Sequence, residues 1–185
     1  MNERTAQLEF LASASRILAE SFDYVVILKR LAQLVIPQLA DWCSVDVVDE
    51  DGRLQRVSVV HLDREKQELT LELQRHFPPT PNSRRGAYNA LQTGKSILNS
   101  TVTSEMLATN VSDPKLINIL HKLGCKSAIA VPLLARGRSH GAFTLVMAES
   151  DRRYDESDLE LVEDLARRAA LLIDNAKLYR ETQQI

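Results

Sequence analysis

Residues 126–150 read KSAIAVPLLARGRSHGAFTLVMAES, and three residues later residues 154–179 read YDESDLELVEDLARRAALLIDNAKLY. The first stretch belongs to two apolar, β-branched runs, Cys125–Ala135 and Ser139–Glu149. They are joined by Arg136-Gly137-Arg138, which predicts an antiparallel hairpin. The second stretch predicts a long helix. Leu159, Val162, Ala166, Ala169, Ile173 and Ala176 recur at heptad spacing, and Asp155 and Asp158 have the spacing of a capping box with an acid at each end. From Asp155 to Ile185 that helix is about 30 residues, or about 45 Å.

Working outward toward the N-terminus, the same logic finds a helix at Pro114–Leu123. It has Asp113 as its cap, proline at the first helical position and Gly124 just past its end. Lys95–Asn99 predicts a short edge strand and Ala87–Gln92 a short helix. Asp63–His76 predicts a helix that must stop at Phe77-Pro78-Pro79-Thr80-Pro81, where proline rings block continuation. Trp42–Asp49 and Arg53–His61 predict strands around Asp51-Gly52, a strong hairpin signal. The chain opens with two amphipathic helices: Leu8, Leu11, Ser15, Leu18 and Phe22 line the first. Val25, Leu28, Ala32, Val35 and Leu39 line the second, which is capped by Asp23. Two helices, a hairpin, an irregular helical middle, a second hairpin and a long helix describe an α+β fold. The terminal helices are expected on one face of an antiparallel sheet and the middle segment, a lid, on the other.

Composition narrows the function classes. The 185 residues suit one domain, with 44% hydrophobic and 26% charged residues, ordinary values for a soluble globular chain. The longest unbroken apolar run, Ala128–Ala135, is eight residues, far from the roughly 20 that cross a bilayer. With 23 basic against 25 acidic residues, no electrostatic case exists for nucleic acid or an acidic membrane. Two cysteines, Cys43 and Cys125, cannot build a tetrahedral metal site. The opening residues carry no charged-then-apolar leader, so a cytoplasmic setting is the expectation. There is no Gly-x-Ser-x-Gly, phosphate-cradling glycine loop or His-Glu-x-x-His.

The order of motifs resembles the GAF domain family, over roughly residues 8–180. The matching positions are Val131-Pro132-Leu133, Gly137, Gly141, Tyr154-Asp155, Asp174-Asn175-Ala176 and Leu178-Tyr179. The opening run ILKRLAQLVIPQLADWCSVDVVDEDG looks like the family's second helix and first hairpin. The resemblance is to modules placed ahead of bacterial histidine kinases, phosphatases or cyclic-nucleotide enzymes. It implies a six-stranded antiparallel sheet, a small-molecule pocket between sheet and lid, and dimerisation through terminal helices. The implied layout is a single domain, residues 1–185, with a core at about 24–175 and signalling helices at 1–22 and 155–185. The implied partners are a small-molecule ligand, a second copy and an output domain in the same chain, a kinase, phosphatase or cyclase.

Candidate pocket residues are those that interrupt apolar strands, Asp46 and Thr144, together with Ser127 and the lid residues Tyr88, Arg85 and His121. In the strand Cys125–Ala135 the small residues Ala128 and Ala130 suit close helix packing, which turns the Ser127 side toward the lid; parity alone does not decide this. Candidate dimerisation residues are Leu8, Leu11 and Leu18 in the first helix and Leu165, Ala169, Leu172, Ala176 and Tyr179 in the last. No cofactor is assigned. His61, His76, His121 and His140 show no paired spacing that would pick out a haem ligand. Covalent bilin attachment in relatives uses a cysteine followed by histidine, and neither Cys43-Ser44 nor Cys125-Lys126 supplies it. A free methionine sulfoxide reductase shares this fold and uses neighbouring cysteines; here the two fall on different predicted strands. The chain is therefore expected to be a non-catalytic sensory module, with a ligand-free dimerisation scaffold as the alternative.

Overall fold

The computed structural model describes residues 3–21, 23–78, 80, 86–109 and 111–183. In chain order the elements are α1 (Glu3–Ala19), α2 (Tyr24–Gln38), β1 (Trp42–Val48), β2 (Leu54–His61), α3 (Arg64–His76) and α4 (Gly86–Thr93). Then come β3 (Ile97–Asn99), α5 (Ser104–Ala108), α6 (Pro114–Leu123), β4 (Ser127–Ala135), β5 (Arg138–Met147) and α7 (Glu156–Gln183). The strands form one antiparallel sheet in the order β2-β1-β5-β4-β3.

Local chemistry sets the element ends. Asp23, Asp63 and Asp113 each accept a backbone N–H of the following turn, from Val25 (2.9 Å), Glu65 (2.8 Å) and Lys115 (2.8 Å). Asp155 and Asp158 cap α7 reciprocally, each carboxylate accepting the other's N–H at 3.0 Å. The β4–β5 turn puts Arg136 at φ 48° and Gly137 at φ 75°, the left-handed pair that a two-residue hairpin turn requires.

The main core lies between the sheet and α1, α2 and α7. Cys43, Val45 and Val47, Ile129, Val131 and Leu133, and Phe143, Leu145 and Met147 face it at period two. They meet Phe10 and Ala14 of α1, Leu28, Leu31 and Val35 of α2, and Val162, Leu165, Ala169 and Ile173 of α7. Each large side chain removed from water there is worth about 1.5–3 kcal/mol. The terminal helices thus share one face, as expected. The lid helix α3 lies on β2, α4 on β4 and β5, and α6 on α3.

Two expectations are corrected. The sheet has five strands among the described residues, not six. After β3 the Val102 N–H still donates to the Lys126 carbonyl at 2.9 Å, and the chain then turns into α5, where Thr103 accepts the Met106 N–H and starts the helix. The face of β4 is also reversed. Ala128 and Ala130 pair with Val146 and Thr144 on the lid side, and Ser127 lies on the terminal-helix side with Ile129 and Val131. The small residues do admit a closely packed helix, but the helix is α4, whose own Ala87 and Ala90 are buried.

Candidate ligand site

The lid-facing side of the sheet is apolar at its ends and polar at its centre. Ser44 and Asp46 of β1 are buried there, and Thr144 of β5 stands opposite Ser44. Asp46 pairs in register with Arg56 of β2, across a β-bulge at Val45/Asp46. The carboxylate accepts from Arg56 Nε at 2.8 Å and Nη2 at 3.2 Å, a bidentate pair that is nearly closed to water. Burial pushes the Asp46 carboxyl up and the Arg56 guanidinium pulls it back down; burial prevails. Thr144 Oγ1 is buried with no hydrogen-bond partner among the described residues. A buried hydroxyl without a partner costs about 1–3 kcal/mol.

Two apolar clusters flank this polar strip. Tyr88 of α4 packs with Leu54 and Ala142, and its hydroxyl accepts the Leu54 N–H at 3.3 Å. Ala142 is the register partner of Asp46, so Tyr88 covers the ion pair from the lid side. Trp42 and Val146 pack at one end of the strip, and Leu73 of α3 joins Ile119 and Leu123 of α6 in a separate cluster.

Of the candidates, Asp46 and Thr144 lie on the lid-facing side of adjacent strands, and Tyr88 packs on Ala142, the register partner of Asp46. Ser127 is not among them: its Oγ donates to the Asn99 carbonyl (3.0 Å) and accepts the Tyr154 N–H (2.9 Å), tying β3, β4 and the approach to α7. His121 is exposed on α6, because the apolar stripe of that helix, Leu116, Ile119, Leu120 and Leu123, turns inward onto α3. Arg85 lies outside the described residues. Arg56 went unread in the sequence, although a hairpin centred on Asp51 pairs residue 46 with residue 56.

The dimerisation set also divides. Leu165 and Ala169 are buried in the chain's own core, where β4 and α2 need them, and so present nothing to a second copy. Leu11, Leu18, Leu172 and Ala176 are partly covered. Leu8 and Tyr179 are open, 62% and 64% exposed, with Leu178 beside Tyr179 in sequence also exposed.

Cys43 and Cys125 are free. Cys43 Sγ lies in the main core and donates to the Ala32 carbonyl, while Cys125 packs beside Trp42 and Val146 on the lid side. Burial raises both thiols, Cys125 to about 11. The sheet therefore stands between them. Among the described residues no three His, Cys, Asp or Glu side chains converge as metal ligands, and no helix is long and apolar enough to cross a membrane.

No curated protein matches the chain. Solved structures do. The GAF domain of a phosphoenolpyruvate-protein phosphotransferase from Coxiella burnetii superposes with a TM-score of 0.68 at 15% identity, over 97% of this chain and 99% of that one. The free methionine-R-sulfoxide reductase of Neisseria meningitidis, in complex with its substrate, gives 0.66 at 17% identity, over 97% and 95%. A domain of a two-component sensor histidine kinase protein from Sinorhizobium meliloti 1021 gives 0.55 at 15% identity, over 85% and 96%. At these identities the likeness speaks for the fold. The sequence profile of the GAF domain matches residues 23–173, from the cap of α2 into the buried part of α7, and the chain therefore belongs to the GAF domain family.

Proposed function

We propose that the chain is a non-catalytic sensory GAF domain that binds a small molecule over Ser44, Asp46 and Thr144 and relays its presence through α1 and α7. The carrying observation is the Thr144 hydroxyl, unpartnered among the described residues, on the sheet face that buries the Asp46–Arg56 pair, under a lid whose α4 meets that face at Leu54 and Ala142. The ligand acts by its differential affinity for two arrangements of the lid. The lid rests on β2, β4 and β5, and α7 packs on the opposite side of β4 and β5, so a displaced strand moves the helix. In this reading residues 1–185 form one domain of a larger cytoplasmic signalling chain with an output domain such as a kinase, phosphatase or cyclase. Two copies associate through the helix ends at Leu8 and Tyr179. The separation of Cys43 from Cys125 by the sheet supports the non-catalytic reading over the reductase chemistry named for the Neisseria neighbour.

The test is a thermal-shift screen of the full chain against cyclic nucleotides, free amino acids and methionine sulfoxide, with mass spectrometry of small molecules released from natively purified protein. A bound molecule at a hundredfold its Kd adds about 2.7 kcal/mol, and Thr144→Val removes the gain without lowering the unliganded melting temperature. A blank panel together with no released molecule leaves a dimerisation scaffold as the reading. Turnover of methionine sulfoxide with a thiol reductant, abolished by replacing both cysteines, would overturn the non-catalytic reading.

A further inference from the structure

The sheet is incompletely edged on the side away from the lid's ion pair. β3 pairs only with Ala128–Ala130 of β4, while β4 continues to Ala135. Over Pro132–Ala135 the outer side of β4 has no strand partner among the described residues. Proline is tolerated there because the position lacks a ladder partner on that edge. The two-residue turn makes Ala135↔Arg138 the closing, hydrogen-bonded pair of the hairpin. The next pair, Leu134↔Ser139, is then a non-bonded one, and the N–H and C=O of Leu134 turn to the open edge.

A groove of about 490 Å3 runs along this edge. Pro132 and Leu134 line it from β4, Glu163, Arg167 and Leu171 from α7, and Gly94 and Ser96 from the approach to β3. Leu134 and Leu171 are 39% and 42% exposed, so an unpaired stretch of backbone has apolar surface beside it. Charge decides what fits. Arg136 and Arg167 line the groove, exposed on their outer sides although paired with Asp174 and Asp164. Lys95 and Arg138 flank it, also exposed. The single carboxylate in the wall, Glu163, already accepts from Ser96 Oγ.

We infer that the open edge of β4 docks an extended acidic peptide of a partner protein. The peptide adds to β4 in line with β3, exchanges main-chain hydrogen bonds with Leu134 and lays one large apolar side chain between Leu134 and Leu171. Carboxylates on either side of that residue meet Arg136 and Arg167. The open run is about 14 Å long, room for about four residues at about 3.4 Å each. Main-chain pairing supplies the affinity and the apolar notch and the arginines supply the selectivity. This surface is separate from the lid site and stands or falls without it.

The test pans a phage-displayed library of random peptides, about ten residues long so as to overrun the open edge, on the full chain. Enriched sequences are then synthesised with a fluorophore for anisotropy. The expected winners alternate apolar and polar residues, carry net negative charge and bind more weakly as salt rises. Leu134→Glu and Leu171→Glu each weaken them at least about tenfold with the melting temperature unchanged, and the Leu134 amide exchanges hydrogen more slowly when the peptide is bound. No enriched sequence, enrichment blind to charge, or binding indifferent to both leucine substitutions overturns the proposal. So does a Leu134-dependent dimer in sedimentation, since the edge would then belong to a second copy.

Discussion

Gly141 of β5 lies so close to β1 that a Cβ on it would stand 2.0 Å from the carbonyl oxygen of Asp46 and 3.0 Å from the Cα of Val47. Both obstacles are backbone, in the strand that carries the ion pair, so neither can rotate away. Gly141→Ala is expected to force the two central strands apart and to cost at least the 1–3 kcal/mol, roughly, of an overpacked core. Gly52 is the contrast: it sits at φ 78° in the first hairpin, and a Cβ there would meet nothing within 4 Å. Gly52→Asn is expected to stay within about 1 kcal/mol. Urea midpoints of the two variants check both.

The Asp46–Arg56 pair should behave as a buried pair does. Arg56→Met strands the carboxylate and is expected to destabilise by about 3–5 kcal/mol, whereas Asp46→Leu with Arg56→Met recovers most of that loss. The Asp46 carboxyl is raised by burial despite Arg56. The folded state therefore holds its proton to higher pH than the unfolded chain, and the contribution of Asp46 to stability falls as pH rises through the window above the ordinary carboxylate value. A double-mutant cycle by chemical denaturation at two pH values measures both effects.

His140 should make the fold sensitive to mild acid. Its Nε2 is 3.1 Å from Asp174 Oδ1, Arg136 pairs with the other oxygen of that carboxylate at 2.7 Å, and Lys177 and Arg138 lie near the imidazole. Burial, with Lys177 and Arg138, lowers the imidazole below its ordinary value against the pull of Asp174. The unfolded chain therefore binds the proton first, and stability falls as pH drops below about 6.5. His61 is lowered by burial in the same direction. His140→Gln is expected to flatten part of the decline in the urea midpoint between about pH 7.5 and 5.5, leaving the share that belongs to His61.

Asp41 is expected to be a strong stability determinant. Its carboxylate accepts from Ala148 N–H at 2.7 Å, Ser150 N–H at 2.9 Å and Ser150 Oγ at 2.8 Å, joining the start of β1 to the end of β5. Burial raises this carboxyl, but those donors outweigh it and hold it below the usual range. The stability it supplies is thus present above the unfolded value and lost as pH falls through the folded one. Asp41→Ala should cost at least about 1.5–3 kcal/mol, read from thermal melting.

The thiols should report on unfolding. Cys43 is fully enclosed and Cys125 is held up at about 11, so little thiolate exists near neutral pH. A chromogenic disulfide reagent at about pH 8 is expected to label buried Cys43 only as fast as the chain opens, partly covered Cys125 faster than that but slower than a free thiol, and both at once in denaturant.

Much of the fold was legible because its signals are short in range. Asp23, Asp63, Asp113 and Asp155 each announce a helix within three residues, and Asp51-Gly52 and Arg136-Gly137 each close a hairpin between adjacent strands. The five-residue helix α5 has no buried residue to give it a period, and so it left no trace beyond Thr103. At the site, Asp46 and Thr144 stood out as polar interruptions of apolar strands. Arg56 did not, since β2 is half-exposed and an arginine there reads as a wet edge.

Sequence alone determined the order of the elements, their caps, their turns and the alternation along each strand, since each depends on side chains a few bonds away. Tertiary structure decided which parity of β4 meets which helix, that Ser127 ties the approach to α7 rather than lining the site, and that Leu165 and Ala169 belong to the core rather than to a partner. A period of two assigns residues to two faces without naming them. Only the docking of α7 on one side and α4 on the other breaks that symmetry.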